Sequence, residues 1–250
     1  MSDASPPLGT EPARPVRFAI EHRTEYQYGT AMNDGYTVTH LLPRDTAYQR
    51  VESAELFVTP DADEYDENID MFGNRVVHLG IHHPHQQLGV TARSVVTVQP
   101  ARVPAVDHAA AISWEDVAAT VFAARGAEVL DVGPFAAATS TTPNLAVLVP
   151  FVNEAFTPGR PFLEAVRVLC GRIFEDFVFD PGFSDITTPI EAVMAARRGV
   201  CQDFAHLALA CLRSVGLAGR YVSGYVETAP PPGEAKMVGA DASHAWCSTW

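Results

Sequence analysis

The first hundred residues alternate between apolar and polar positions with the two-residue period of β-strands. Between residues 16 and 28, Val16, Phe18 and Ile20 share one face with Tyr26 and Tyr28, while charged and polar side chains take most of the other face. Four further apolar runs follow, at residues 36–42, 54–59, 76–82 and 88–98. Strands at this spacing predict an antiparallel β-sandwich over residues 16–100.

Short polar segments separate these runs. Asn33, Asp34 and Gly35 supply turn chemistry between the first two strands. Residues 61–70 are dense in acids, and we expect a solvated loop there, because the segment lacks the alternating ligands and central glycine of an EF-hand calcium loop.

From residue 113 onward the pattern becomes helical. Ser113 is predicted to cap a helix over residues 114–125 that ends at Gly126, while residues 131–150 carry no pattern that assigns an element. A wide apolar stripe then predicts a helix that begins after residue 160. Its members are Phe162, Ala165, Val166, Leu169, Cys170, Ile173, Phe174 and Phe177.

Two more helices and a pair of strands complete the chain. The run Thr188-Pro189-Ile190-Glu191 has the form of a capping box with proline at the first helical position, and predicts a short helix that continues to Arg197. The next helix is predicted to begin at about Cys201 and to end before Gly216, and strand-like runs follow at residues 220–228 and 243–250. Helices followed by strands are typical of an α+β domain, here over residues 110–250.

Composition narrows the class of protein. The chain has 250 residues, and its formal net charge of −13 makes nucleic acid or an anionic membrane an unfavourable partner. Residues 1–15 are rich in Ser, Pro and Gly and predict a disordered leader without the apolar stretch of a signal peptide, and residues 99–111 suit a linker. The four cysteines form no CxxC pair, and no apolar run approaches the ~20 residues of a membrane span, so we expect a cytoplasmic protein.

Cys201 is the candidate nucleophile. It lies at the first turn of its predicted helix, where unpaired backbone N–H groups and the helix dipole favour a thiolate, and Arg197 and Arg198 precede it closely. The alternative is an ordinary buried cysteine. Cys170 and Cys211 lie within apolar stripes and are interpreted as buried structural cysteines.

His244 is the candidate base for this thiol. It shares a predicted strand face with Trp246, Ser248 and Trp250, whereas Cys247 points to the opposite face. One hairpin separates His244 from the Cys201 helix, so the two side chains could meet where the helix joins the sheet. A structural histidine is the alternative.

Several sequence blocks resemble the bacterial transglutaminase-like family. In the second half these are Arg-Arg-Gly-Val-Cys-Gln-Asp-Phe-Ala-His-Leu at 197–207, Gly-Arg-Tyr-Val-Ser-Gly-Tyr at 219–225 and Asp-Ala-Ser-His-Ala-Trp at 241–246. In the first half, His-Arg-Thr at 22–24, Leu-Pro-Arg-Asp at 42–45 and Asp-Met-Phe-Gly-Asn at 70–74 resemble the β-rich N-terminal domain that accompanies the family's core.

The resemblance implies a papain-like cysteine enzyme with a Cys-His-Asp triad. Cys201 would attack a carbonyl with His244 as base and then acid, the backbone N–H of Cys201 would stabilise the oxyanion, and Gln202 and Asp203 would support it. The substrate would be a protein or peptide, through a glutamine or another amide carbonyl. The triad aspartate is expected on the strand after His244, but no residue from 245 to 250 is acidic. Asp241 precedes His244 on the same run and is a weak substitute, because residues three apart on a strand point to opposite faces. We therefore interpret the chain as truncated within its core.

Other chemistry is less favoured. His78, His82, His83 and His85 are interpreted as a solvated hairpin turn rather than a zinc site, and His206 as structural. The sequence carries no phosphate-binding glycine loop and no dinucleotide fingerprint, so no cofactor and no metal are expected. The favoured function is acyl transfer or amide hydrolysis through Cys201; the alternative is a catalytically inactive binding or assembly module of the same family.

Overall fold

The computed structural model describes residues 14–99, 112–227 and 243–249. Most of the predicted leader, most of the predicted linker, Asp241 and Trp250 lie outside these residues. The chain divides into two compact units, Met1–Pro104 and Ala105–Trp250. None of the described helices has the length and apolar character needed to span a bilayer.

The first unit contains two antiparallel sheets of three strands. The strands are β1 (Val16–Met32), β2 (Gly35–Thr39), β3 (Gln49–Thr59), β4 (Glu64–Ile69), β5 (Arg75–Ile81) and β6 (His85–Val98), in the orders β1-β6-β3 and β2-β5-β4. Side chains that alternate along β5 and β6 form the core, with Val77 and Leu79 from one sheet against Ala92 from the other. Five of these strands correspond to the predicted apolar runs.

The predicted solvated loop at residues 61–70 is the main expectation in this unit that the structure corrects. Residues 64–69 form β4 rather than a solvated loop, and every residue of this strand is exposed. β4 lies at a sheet edge and pairs with β5, with Glu64 opposite Gly80 and Ile69 opposite Arg75. Long-range pairing therefore outweighs the low strand propensity of the acids, and an edge strand tolerates such charges.

The histidine turn also differs from the prediction. His82 and His83 are ion-paired to acids, with 2.6 Å between His82 Nδ1 and Asp34 Oδ1 and 3.1 Å between His83 Nδ1 and Asp63 Oδ2. His85 is buried and its ring packs edge-on against Tyr28, so it does not belong to a solvated turn.

The described helices of the second unit pack around one apolar core. Its helices are α1 (Trp114–Ala123), α2 (Ala127–Ala136), α3 (Val149–Ala155), α4 (Phe162–Asp176), α5 (Ile190–Ala196) and α6 (Cys201–Ser214). Its strands are β7 (Val178–Phe179), β8 (Arg198–Gly199), β9 (Gly219–Tyr225) and β10 (Ser243–Thr249). Leu169 of α4 and Leu207, Cys211 and Leu212 of α6 lie at the centre of the core.

Three helical predictions need correction. α2 and α3 occupy residues to which the sequence pattern assigned little, and α2 contains Pro134. Phe174 and Cys170 of α4 are exposed, because the buried stripe is narrower than predicted. The expected capping box is absent at α5, where Pro189 is the N-cap and Thr188 Oγ1 instead accepts a hydrogen bond from the backbone N–H of Asp185 at 3.0 Å.

An antiparallel hairpin of β9 and β10 packs against α6. His244 pairs with Gly224 and Cys247 with Tyr221. A Cβ atom added to Gly219 would lie 2.6 Å from Leu209 Cδ2, so only glycine allows β9 to approach α6 this closely. The face of the hairpin that holds Gly219, Tyr221 and Cys247 therefore faces the helices, and we call it the inner face.

Candidate active site

Cys201 is the first residue of α6, as predicted. The chain reaches it through Arg197, which ends α5 in the left-handed region at φ 54°, and through β8, which pairs in parallel with β7. Val200 is the N-cap in an extended conformation. The first N–H groups of a helix have no partner within it, so the Cys201 thiol lies beside unpaired donors and the positive end of the helix dipole.

Asp203 fixes this start of the helix. Its carboxylate is only 4% exposed and accepts hydrogen bonds through Oδ2 from the backbone N–H of Val200, at 2.7 Å, and from the Ser184 hydroxyl. A Cβ atom on Gly199 would lie 2.8 Å from Asp203 Oδ2, so glycine is required beside the carboxylate. The buried acid thereby holds the backbone that presents Cys201.

The two arginines before Cys201 are directed elsewhere. Arg197 lies over the rings of Phe177 and Phe151, and Arg198 pairs with Asp180 at 3.6 Å. Among the described residues neither guanidinium group is hydrogen-bonded to the thiol, because both lie against these other partners.

Cys201 and Cys247 are half-buried, Cys211 is buried and Cys170 is exposed. Burial raises the pKa of the Cys211 thiol to about 12 and that of Cys247 to about 11. Both therefore remain protonated at neutral pH, and only the thiolate is an effective nucleophile. Cys247 packs against the helical core, as expected for the inner face.

His244 lies near the start of β10 and is half-buried. Strand alternation places it with Trp246 on the outer face of the hairpin, opposite the inner face. Within the described residues, no hydrogen bond or ion pair joins His244 to Cys201. Gln202 is half-buried beside Cys201.

Sequence reasoning missed two residues of this region. Ser184, which hydrogen-bonds Asp203, lies in a loop whose sequence gives no signal of that contact. Tyr221 lies on the inner face with its ring centroid 5.1 Å from that of His206. The alternation of β9 was the available signal, because it separates Tyr221 from its neighbours Arg220 and Val222.

Comparisons with known proteins agree with this architecture. The model of the bacterial transglutaminase-like N-terminal region matches residues 18–97, and that of the transglutaminase-like superfamily matches residues 151–250. An uncharacterized protein of Mycobacterium tuberculosis (strain H37Rv) is 38% identical over 241 residues, covering 94% of this chain and 73% of the relative. An uncharacterized protein of Mycobacterium leprae is 30% identical over 237 residues, covering 94% of this chain and 79% of the relative.

A solved structure shares the fold. The crystal structure of a Cytophaga hutchinsonii protein described as a "putative cysteine protease" aligns with a TM-score of 0.69 at 20% identity, over 95% of this chain and 73% of that one. The predicted fold class, an antiparallel β-sandwich followed by a papain-like α+β core, is confirmed. The chain belongs to the bacterial transglutaminase-like family.

Proposed function

We propose that this protein is a thiol enzyme of acyl transfer or amide hydrolysis, with Cys201 as nucleophile and His244 as general base. The observation that carries the proposal is the position of Cys201, a half-exposed thiol at the first residue of a helix whose start is fixed by the buried Asp203. A nucleophilic cysteine requires a dipole that favours the thiolate, a rigid backbone and access for the substrate.

The reaction follows from these groups. His244 takes the thiol proton, and the sulfur of Cys201 attacks the carbonyl carbon of a glutamine side chain or peptide bond. The carbonyl oxygen becomes an oxyanion, which the backbone N–H of Cys201 stabilises. The carbon–nitrogen bond then breaks, His244 returns the proton to the departing amine, and a thioester remains on Cys201.

The thioester is resolved by a second nucleophile. Water or an amine attacks the thioester carbon while His244 accepts a proton, and the thiol of Cys201 is released with an acid or a new amide as product. Gln202 remains a proposed supporting residue beside the oxyanion. Asp203 supports it indirectly, since its carboxylate is already occupied by Val200 and Ser184.

The first test measures thiolate formation. The rate of iodoacetamide alkylation at each cysteine is followed against pH by peptide mass spectrometry, in the wild-type chain and in His244→Ala. We expect Cys201 to react fast below pH ~7 and to slow when His244 is removed, because imidazolium stabilises the thiolate. Cys247, whose pKa is raised to about 11, serves as the slow internal control.

A binding or assembly module is the second candidate. It is favoured by one observation: among the described residues, Cys201 and His244 share no hydrogen bond. If Cys201 titrates near the free-thiol value of ~8.5 in both proteins, the enzyme proposal fails and the binding function is preferred.

A further inference from the structure

The inner face of the β9–β10 hairpin places an aromatic hydroxyl near the start of α6. Gly219 of β9 lies against Leu209, in the second half of the helix. Two residues along the strand, Tyr221 packs its ring against His206, closer to the helix start. Because β9 runs toward the beginning of α6 on this face, Tyr221 is directed at the end of the helix that carries Cys201.

The electrostatic environment of the phenol agrees with this direction. Burial raises the pKa of Tyr221, and the negative charges of Cys201 and Asp203 raise it further. Tyr225 lies on the same face of the same strand, but its pKa is raised by burial alone. The ring contact with His206 and these charge effects place the phenol in the same region as the thiol and the carboxylate, although among the described residues no hydrogen bond joins Tyr221 to Cys201 in this structure.

The other ionisable group at this contact is His206. Burial lowers its pKa, the charge of Asp203 opposes that change, and Arg213 reinforces it. His206 therefore favours the neutral form at neutral pH and contributes an aromatic wall rather than a positive charge. The phenol of Tyr221 is then the hydrogen-bond donor of this ring pair.

We propose that Tyr221 is a positioning residue for Cys201, and that its phenol donates a hydrogen bond to the Cys201 thiolate and holds it at the start of α6. The inference rests on the proposed function, in which Cys201 is the nucleophile.

A donor that binds only the charged form of a thiol stabilises the thiolate, so its removal raises the pKa of the thiol. One charge-assisted hydrogen bond corresponds to about one pH unit, or about a tenfold change in the thiolate fraction. Tyr221→Phe removes the hydroxyl and retains the ring that packs on His206. Tyr225→Phe makes the same change on the same strand face and is the matched control.

The experiment measures the pH profile of Cys201 alkylation in the full chain, for the wild type and for both variants. We expect Tyr221→Phe to move the midpoint upward by about one pH unit, and Tyr225→Phe to leave it in place. Thermal unfolding of each variant checks that the fold is retained. An acidic Cys201 whose profile is the same in wild type and Tyr221→Phe overturns this inference and leaves the proposed function standing.

A reciprocal measurement covers the case in which Cys201 is not acidic. The ultraviolet absorbance of tyrosinate is followed against pH in the wild type and in Cys201→Ala, with Tyr221→Phe to identify the Tyr221 transition. Removal of the thiolate should lower the pKa of Tyr221, because the two charges no longer repel each other. An unchanged Tyr221 transition refutes the contact, whatever the activity of the protein.

Discussion

Replacement of Asp203 by alanine tests whether the start of α6 depends on one buried carboxylate. Asp203 accepts hydrogen bonds from the Val200 N–H and the Ser184 hydroxyl, and is 4% exposed. Hydrogen bonds to charged groups contribute roughly 1.5–3 kcal/mol each, but removal of the acid also removes the cost of burying it. The Val200 N–H left without its partner costs about 1–3 kcal/mol.

Together these effects predict a loss of about 3 kcal/mol for Asp203→Ala. For a unit of this size, each kcal/mol lowers the melting temperature by roughly 2–4 °C, so the transition should fall by about 6–12 °C. Calorimetry on the full chain measures this shift, and the alkylation rate of Cys201 should fall with it. Asp203→Asn, which retains an acceptor of similar shape, should lose less.

The control is another acid in the first turn of a helix. Glu191 of α5 is exposed, and Glu191→Ala should change stability by no more than about 0.5 kcal/mol. If Asp203→Ala lowers the melting temperature no more than Glu191→Ala does, the carboxylate does not fix the helix start. Other contacts would then hold the helix start that presents Cys201.

Two further predictions concern the hairpin and the first unit. Gly219→Ala places a Cβ atom 2.6 Å from Leu209 Cδ2, so calorimetry should show a loss of about 1–3 kcal/mol from overpacking, and an unchanged transition would contradict the close approach of β9 to α6. The hydrogen bond to Asp34 and then that to Glu64 raise the pKa of His82 above 6.5, although burial opposes them. The ion pairs of His82 therefore stabilise the fold below pH 6.5, and this stabilisation is lost as the pH rises through the pKa of His82 in the folded state. The melting temperature of His82→Gln should therefore lie further below the wild type at about pH 5.5 than at about pH 8.5, and an equal gap at both would refute the ion pairs.

The sequence was sufficient to place Cys201 at a helix start. Gly199 ends the preceding helical pattern just before Cys201. The spacing of apolar residues through Leu207 and Cys211 is compatible with one register of the helix that follows. The alternation from His244 to Cys247 was equally informative, and Cys247 indeed packs on the core. Local periodicity determines these features, so they can be identified without knowing what packs against them.

Elements that depend on distant partners were missed. β4 forms because it pairs with β5, and its acids give no local sign of a strand. α2 contains Pro134, yet it continues to Ala136. Arg213 of α6 donates a hydrogen bond from Nε to the carbonyl of Phe135 at 3.0 Å and connects the helix end to the core. Tertiary contacts thus compensate for a weak local preference.

The hydrogen bond of Ser184 to Asp203 was missed for the same reason. The two residues are 19 positions apart, and nothing in the loop around Ser184 distinguishes it from an ordinary turn. Asp203 could be recognised only as an acid at a helix start. Its burial, which makes it a structural anchor, depends on how the loop after β7 folds over the beginning of α6.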